Sequence, residues 1–180
     1  GATTDLERRT SEIVVADVVK RARVSRRTFY EEFADRGDCF LALCNRSSEI
    51  SRKVIDAAAD PTLPWEEQVN RAVGHYFGFM TAEPRLTHSL LFEIHALGER
   101  GLVSHRETHH AFTEQMLELA ERSRENGAEI RALDYPITAA AVGAIYQLMQ
   151  MIAEDEPRIT VAQARSAAIE LVLDVTTSRR

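Results

Sequence analysis

Apolar residues recur at intervals of three and four along almost the whole chain, and no run alternates strictly between apolar and polar positions. That periodicity predicts an all-α protein without half-buried strands. Gly37, Pro61, Pro64, Pro84, Gly98, Gly101, Gly127, Pro136 and Pro157 punctuate the pattern, so the reading divides it into about nine helices joined by short turns. The expected helices cover residues 3–13, 15–22, 26–33, 38–59, 65–82, 85–97, 103–126, 136–154 and 160–177. No repeat or low-complexity linker interrupts them.

Two segments are apolar on more than one face. After Pro136, the residues Ile137, Ile145, Leu148, Met149 and Ile152 combine with Ala139 to Val142 to leave little polar surface. The last helix has a stripe of Val161, Ala164, Ala168, Leu171 and Val175, widened by Ile169, Val172 and Leu173. Helices of this kind must be covered on both sides. A chain-terminal helix is rarely central in a bundle, so the pattern predicts a homodimer in which these two helices pair about a two-fold axis into a four-helix contact. The stretch Ile137 to Ala153 carries Thr138, Gln147 and Gln150 and falls short of the roughly 20 residues of a bilayer crossing, so no membrane span is expected.

At 44% apolar and 28% charged residues, the composition lies far from that of disordered chains. The chain opens without a charged-then-apolar leader, and the expected location is cytoplasmic. Cys39 and Cys44 stand five apart on one expected helix and point in different directions, which reads as two packing thiols rather than a disulfide. Net charge is −6, which excludes a surface coated for nucleic-acid binding. The charge is unevenly spread, however: residues 1–48 carry nine basic and eight acidic side chains, while residues 49–180 carry thirteen and twenty. Within the first part, Lys20, Arg21, Arg23, Arg26 and Arg27 fall in eight residues with no acid among them.

That basic cluster coincides with a second pattern. Val15, Val18, Val19 and Ala22 lie at i, i+3, i+4 and i+7 and predict a helix of about two turns. Val24 occupies the connection, Ser25 is a good N-cap, and Phe29 and Phe33 on the next helix turn inward to share a small core with Val19 and Val24. Two short helices with one tight turn predict a helix-turn-helix unit. In such units the second helix enters the major groove and its first residues meet base edges. Arg26 and Arg27 hold those positions, and arginine can donate two hydrogen bonds to O6 and N7 of guanine. The hydroxyls of Thr28 and Tyr30 suit phosphates, Arg36 can grip the backbone, and Lys20 and Arg21 add flanking charge.

The stretch strongly resembles the signature of the tetracycline-repressor (TetR) family of bacterial regulators. Val15-Ala16-Asp17, Ala22, Val24-Ser25, Thr28-Phe29-Tyr30, Phe33 and Arg36 carry the likeness, over roughly residues 15–48. The resemblance implies a helix-turn-helix DNA-binding domain over residues 1–48 and a larger helical effector-binding and dimerisation domain over residues 49–180. It implies a dimeric, sequence-specific transcriptional regulator, most often a repressor, that leaves its palindromic double-stranded operator when a small molecule binds. Ser25, Arg26, Arg27, Thr28, Tyr30 and Arg36 occupy the DNA-contact positions. Where the family turn carries glycine this chain has Arg23, so the likeness also predicts a strained, positive φ there. Glu31 and Glu32 are unusual acids on the recognition helix, and Glu31 can accept from a cytosine amino group or weaken non-specific binding.

For the effector, aromatic and methionine walls suit an apolar or amphipathic ligand. The candidates are Trp65, Tyr76, Phe79, Met80, Leu91, Phe92, His95, Phe112, Met116, Tyr146, Met149 and Met151, with the polar-tipped His95 and Tyr146 foremost. His105 and His109 share a helix face and His110 follows, but no metal-site pattern accompanies them, so neither a metal nor a cofactor is expected. Glu93 and Arg106 read either as an interhelical pair or as ligand-orienting groups. The competing readings are a ligand-binding or dimerisation bundle without DNA, and a helical-bundle enzyme. The second lacks paired Glu-x-x-His motifs and any nucleophile in a recognisable setting.

Overall fold

A computed structural model of the chain describes residues 15–177, and every regular element among them is helical. The helix expected over residues 3–13 lies outside the described residues. In chain order the elements are α1 (residues 15–22), α2 (Arg26–Glu32), α3 (Arg36–Ala58), α4 (Trp65–Ala82), α5 (Pro84–Phe92), a 3-10 helix (Glu93–Leu97), α6 (Glu99–Glu125), α7 (Tyr135–Ala153) and α8 (Val161–Thr176). The chain divides into two compact units, Gly1–Cys44 and Asn45–Arg180.

In the first unit a small core gathers Val15, Val19 and Phe29, with Phe33 and Cys39 partly buried against it. Val18 and Val24, expected to face inward, are exposed. The end of α1 explains Val24. Arg23 takes φ 56°, its N–H donates to the carbonyl of Lys20 at 3.4 Å, and the Val24 N–H donates to the carbonyl of Val19 at 3.0 Å. This pair of bonds closes the helix with a left-handed residue in the position where glycine is commonest, and it leaves the Val24 side chain on the outside of the turn.

α3 begins at Arg36, two residues earlier than the apolar pattern suggested. Its first turn is held by two aspartates. The Asp38 N–H donates to Asp35 Oδ1 at 2.8 Å and the Ala34 N–H donates to Asp38 Oδ2 at 3.0 Å. These bonds satisfy donors that a helix start otherwise leaves open. Gly37, read as a breaker, therefore sits inside the helix.

The second unit packs α4, α5, α6, α7 and α8 around a core of Val69, Val73, Phe77, Met80, Leu91, Met149, Ala164, Ala168 and Val172. The expected helix over 85–97 is two elements, α5 and the 3-10 turn. α6 starts at Glu99 rather than near residue 103, because Gly98 (φ 60°) turns the chain and Gly101 lies within the helix. A Cβ on Gly101 would stand 1.9 Å from the Ile94 carbonyl oxygen, so the missing side chain is what lets the 3-10 turn lie against α6.

Some buried polar groups of this unit are satisfied between segments. The Ser123 hydroxyl donates to Gln68 Oε1 at 2.9 Å and Gln68 Nε2 donates to the Leu63 carbonyl at 2.8 Å. The Thr87 hydroxyl donates to the Met80 carbonyl. At 19 residues, α7 is long and apolar enough to cross a membrane by length and composition alone, which revises the expectation that it is too short. It packs against α5, α6 and α8, yet only 17% of its apolar window is buried within the chain.

Candidate functional site

In the first unit, Ser25 is the N-cap of α2. Its Oγ accepts from the Thr28 N–H at 3.0 Å and lies 2.9 Å from the Thr28 hydroxyl. Two of the three hydroxyls expected at DNA, those of Ser25 and Thr28, are thus engaged with each other at the cap. The helix they start carries Arg26, Arg27 and Tyr30, all exposed, while Phe29 between them is buried. The Tyr30 ring stands edge-on to Phe29, with ring centres 5.3 Å apart, and keeps half its surface in solvent.

Arg27 is 88% exposed and its Nε donates to Glu31 Oε1 at 2.8 Å. An exposed ion pair of this kind is worth little stability. Its consequence is positional, since the carboxylate holds the guanidinium along the helix. Lys20 and Arg21 are exposed on α1, and Arg36, expected just before α3, is its exposed first residue. Cys39 is half-buried beside the small core, and burial, followed by the Asp38 carboxylate, pushes its thiol above the usual range.

In the second unit, the expected ligand-lining residues separate into three groups. Met80, Leu91 and Met149 are buried core, with Phe79, Phe92 and Met116 packed against it. Trp65 also packs on this core, but its indole N–H donates to Thr176 Oγ1 at 2.8 Å, tying α4 to the end of α8. Met151 is partly buried on α7. The third group is aromatic and polar. Tyr76 meets Phe112 edge-on at 6.0 Å, and Tyr146 donates its hydroxyl to the Leu91 carbonyl at 3.0 Å.

Around Tyr146 the structure adds two residues that the pocket expectation left out. The His105 ring lies 4.4 Å from that of His109, 5.1 Å from that of His95 and 5.0 Å from that of Tyr146, while His109 lies 4.7 Å from Tyr146. The Nε2 atoms of His105 and His109 are both shut off from solvent, and neither has a hydrogen-bond partner. Burial, then the neighbouring imidazoles of His109 and His95, bring His105 down to about 4. Burial alone lowers His109. Both rings are therefore neutral near pH 7. Tyr76 is shifted the other way, its phenol raised by burial and then by Tyr146.

The i, i+4 spacing of His105 and His109 was visible in the sequence, but the contribution of His95 from the 3-10 turn was not tied to it. Among the described residues, no group of three or more His, Cys, Asp or Glu side chains is arranged to hold a metal ion. His110 is separate, with Nδ1 3.0 Å from the Tyr135 hydroxyl. Glu93 accepts from the Ser89 hydroxyl at 2.9 Å.

On α6 a further polar seam faces α3. The Gln115 amide donates to the Arg52 carbonyl at 2.8 Å and the Ser104 hydroxyl donates to Asn45 Oδ1 at 3.1 Å. Buried Gln115 Oε1 and Arg52 Nε stay without partners. No family model, curated protein or solved structure matches the chain.

Proposed function

We propose that this chain is a dimeric transcriptional regulator of the tetracycline-repressor type. It binds double-stranded operator DNA through the start of α2 and is released, as a repressor, by a small effector held in the second unit. The carrying observation is the pair Arg26 and Arg27, exposed on the first turn of a helix that Ser25 caps directly after the tight turn from α1. Two arginines so placed offer bidentate donors to guanine edges, and Lys20, Arg21, Tyr30 and Arg36 offer phosphate contacts. Ser25 and Thr28 complete the same surface. Such a protein works in the cytoplasm, where its DNA is.

Dimerisation is supported by the apolar surface of α7 and α8. Ile137 and Val161 are more than a third exposed, and only 17% of the apolar window of α7 is fully buried within one chain. A second copy pairing these helices covers that surface and presents two reading tips to one palindrome.

The test is a salt-dependent shift assay on the protein's own upstream DNA, with light scattering to count subunits. A specific complex is expected from a dimer, weakened at least tenfold by combining Arg26→Ala and Arg27→Ala, since each good bidentate contact contributes about 1–3 kcal/mol. A stable monomer, partition of the protein into vesicles through α7, or a complex indifferent to both substitutions would refute the proposal.

A further inference from the structure

We infer that the effector carries a carboxylate on an apolar or aromatic body, and that His105 and His109 receive this carboxylate while Tyr76, Phe112 and Tyr146 wall the body. The inference deepens the effector reading above and rests on it.

The geometry supplies three parts of the argument. Two imidazoles from successive turns of α6 stand ring to ring at 4.4 Å, each with an Nε2 atom that reaches neither water nor a partner. A buried polar atom without a partner carries an uncompensated desolvation cost, and two of them side by side mark a place where a bound group adds what the protein leaves out. The surroundings are aromatic: Tyr146 is edge-on to both imidazoles, and Tyr76 and Phe112 meet edge-on nearby along α4 and α6.

Charge decides what sort of group fits. The titratable neighbours brought to the pair are His95 from the 3-10 turn and Tyr146 from α7, with Tyr76 coupled to Tyr146 from α4. The groups that act on His105 are imidazoles, with no carboxylate among them, and only burial acts on His109. The imidazoles brought together here can carry charge only as cations. An anion therefore meets complementary chemistry, whereas a neutral hydroxyl gains one ordinary hydrogen bond. When a carboxylate enters, it favours the protonated imidazole. A proton from solvent adds to an Nε2, and the resulting N–H donates to a carboxylate oxygen as a charge-assisted hydrogen bond. Binding thus consumes about one proton.

The test uses the purified full chain without DNA. Benzoate and phenylacetate are the probes, benzyl alcohol the neutral control and zinc chloride the metal control. Calorimetry at pH 6 in two buffers of different ionisation enthalpy reads proton uptake, and nitrogen-15 spectra of the histidine rings read which Nε2 gains the proton. The expected result is uptake of about one proton with either carboxylate, at His105 or His109, and binding weaker by roughly tenfold or more in His105→Gln and His109→Gln. The ring spectra of the unaltered protein decide the matter even if either variant folds poorly.

Equal binding of benzyl alcohol, zinc binding at these rings in place of carboxylates, or no ring response to millimolar benzoate and phenylacetate would overturn the inference. Carboxylate binding with proton uptake but no effect on a specific DNA complex upholds the carboxylate site at His105 and His109 and sinks its role as the effector site. Release of DNA by benzyl alcohol, with no carboxylate bound, does the reverse.

Discussion

In the first unit the residues proposed to meet DNA stand in solvent and their local hydrogen bonds are made, as with Ser25 and Thr28 at the cap of α2 and Arg27 on Glu31. In the second, the polar atoms of interest are buried and unmade, as with Nε2 of His105 and His109 and Oε1 of Gln115. The contrast separates two ways a polar group can stand relative to water. An exposed surface keeps its polar groups solvated and loses little if no partner comes. A buried one carries a standing desolvation cost that only the right occupant offsets.

The largest effect expected from that contrast is at Phe29. It is 4% exposed in a core whose buried members among the described residues are Val15, Val19 and Phe29 itself, so Phe29→Ala should cost about 3–5 kcal/mol. Amide exchange should quicken across residues 15–33 and leave α6 and α7 unchanged. Equal quickening in both units would erase the distinction between them. Gly101→Ala probes the other side. Its Cβ would collide with the Ile94 backbone, at a cost of about 1–3 kcal/mol, and quickened exchange should centre on residues 93–101, the turn that carries His95. Gly78→Ala, with open space around the added carbon, is the control in which stability holds or rises.

What could be foreseen from the sequence follows the same division. The α2 surface is built from consecutive residues, so spacing alone exposed it: Ser25 as cap, Phe29 turned inward, Arg26 and Arg27 outward. Arg23 was singled out because glycine was expected there, and its φ of 56° agrees. The histidine cluster draws on the 3-10 turn, α6 and α7, and only the i, i+4 part of it leaves a trace in one segment. The early start of α6 depends in part on Gly101, read as punctuation when its role is close packing against the 3-10 turn. Val24 was misplaced for a related reason, since apolar character alone does not tell which side of a turn a residue occupies.

A medium effect is expected with pH. His105 ionises near 4 in the folded chain against an ordinary imidazole value of 6.5, so below 6.5 the unfolded chain takes up the proton first. Stability from the neutral ring is then complete above about pH 6.5 and is lost as pH falls toward 4. His109 acts in the same direction. The ring is only partly buried, so solvent screening reduces the loss, and a fall of a few degrees in melting temperature between pH 7 and pH 4.5 is expected for the second unit. His105→Gln should flatten that profile. A profile unchanged by the substitution would remove the buried imidazole from the account, and with it half of the contrast between the units.

The smallest effect is at the helix ends. Three helices close with the same pair of backbone bonds around a left-handed residue: Arg23 after α1, Gly127 after α6 and Asp155 after α7, at φ 56°, 92° and 52°. Only glycine takes this conformation without strain, and aspartate tolerates it better than arginine. Arg23→Gly therefore relieves roughly 1 kcal/mol of strain and gives part of it back as extra freedom in the unfolded chain. A net gain of about 0.5 kcal/mol is expected for the first unit, read as slower exchange at residues 19–24. Asp155→Gly should gain less, or nothing, in the second. If Arg23→Gly instead loosens the first unit, its arginine side chain contributes more to holding the turn than its backbone angle costs.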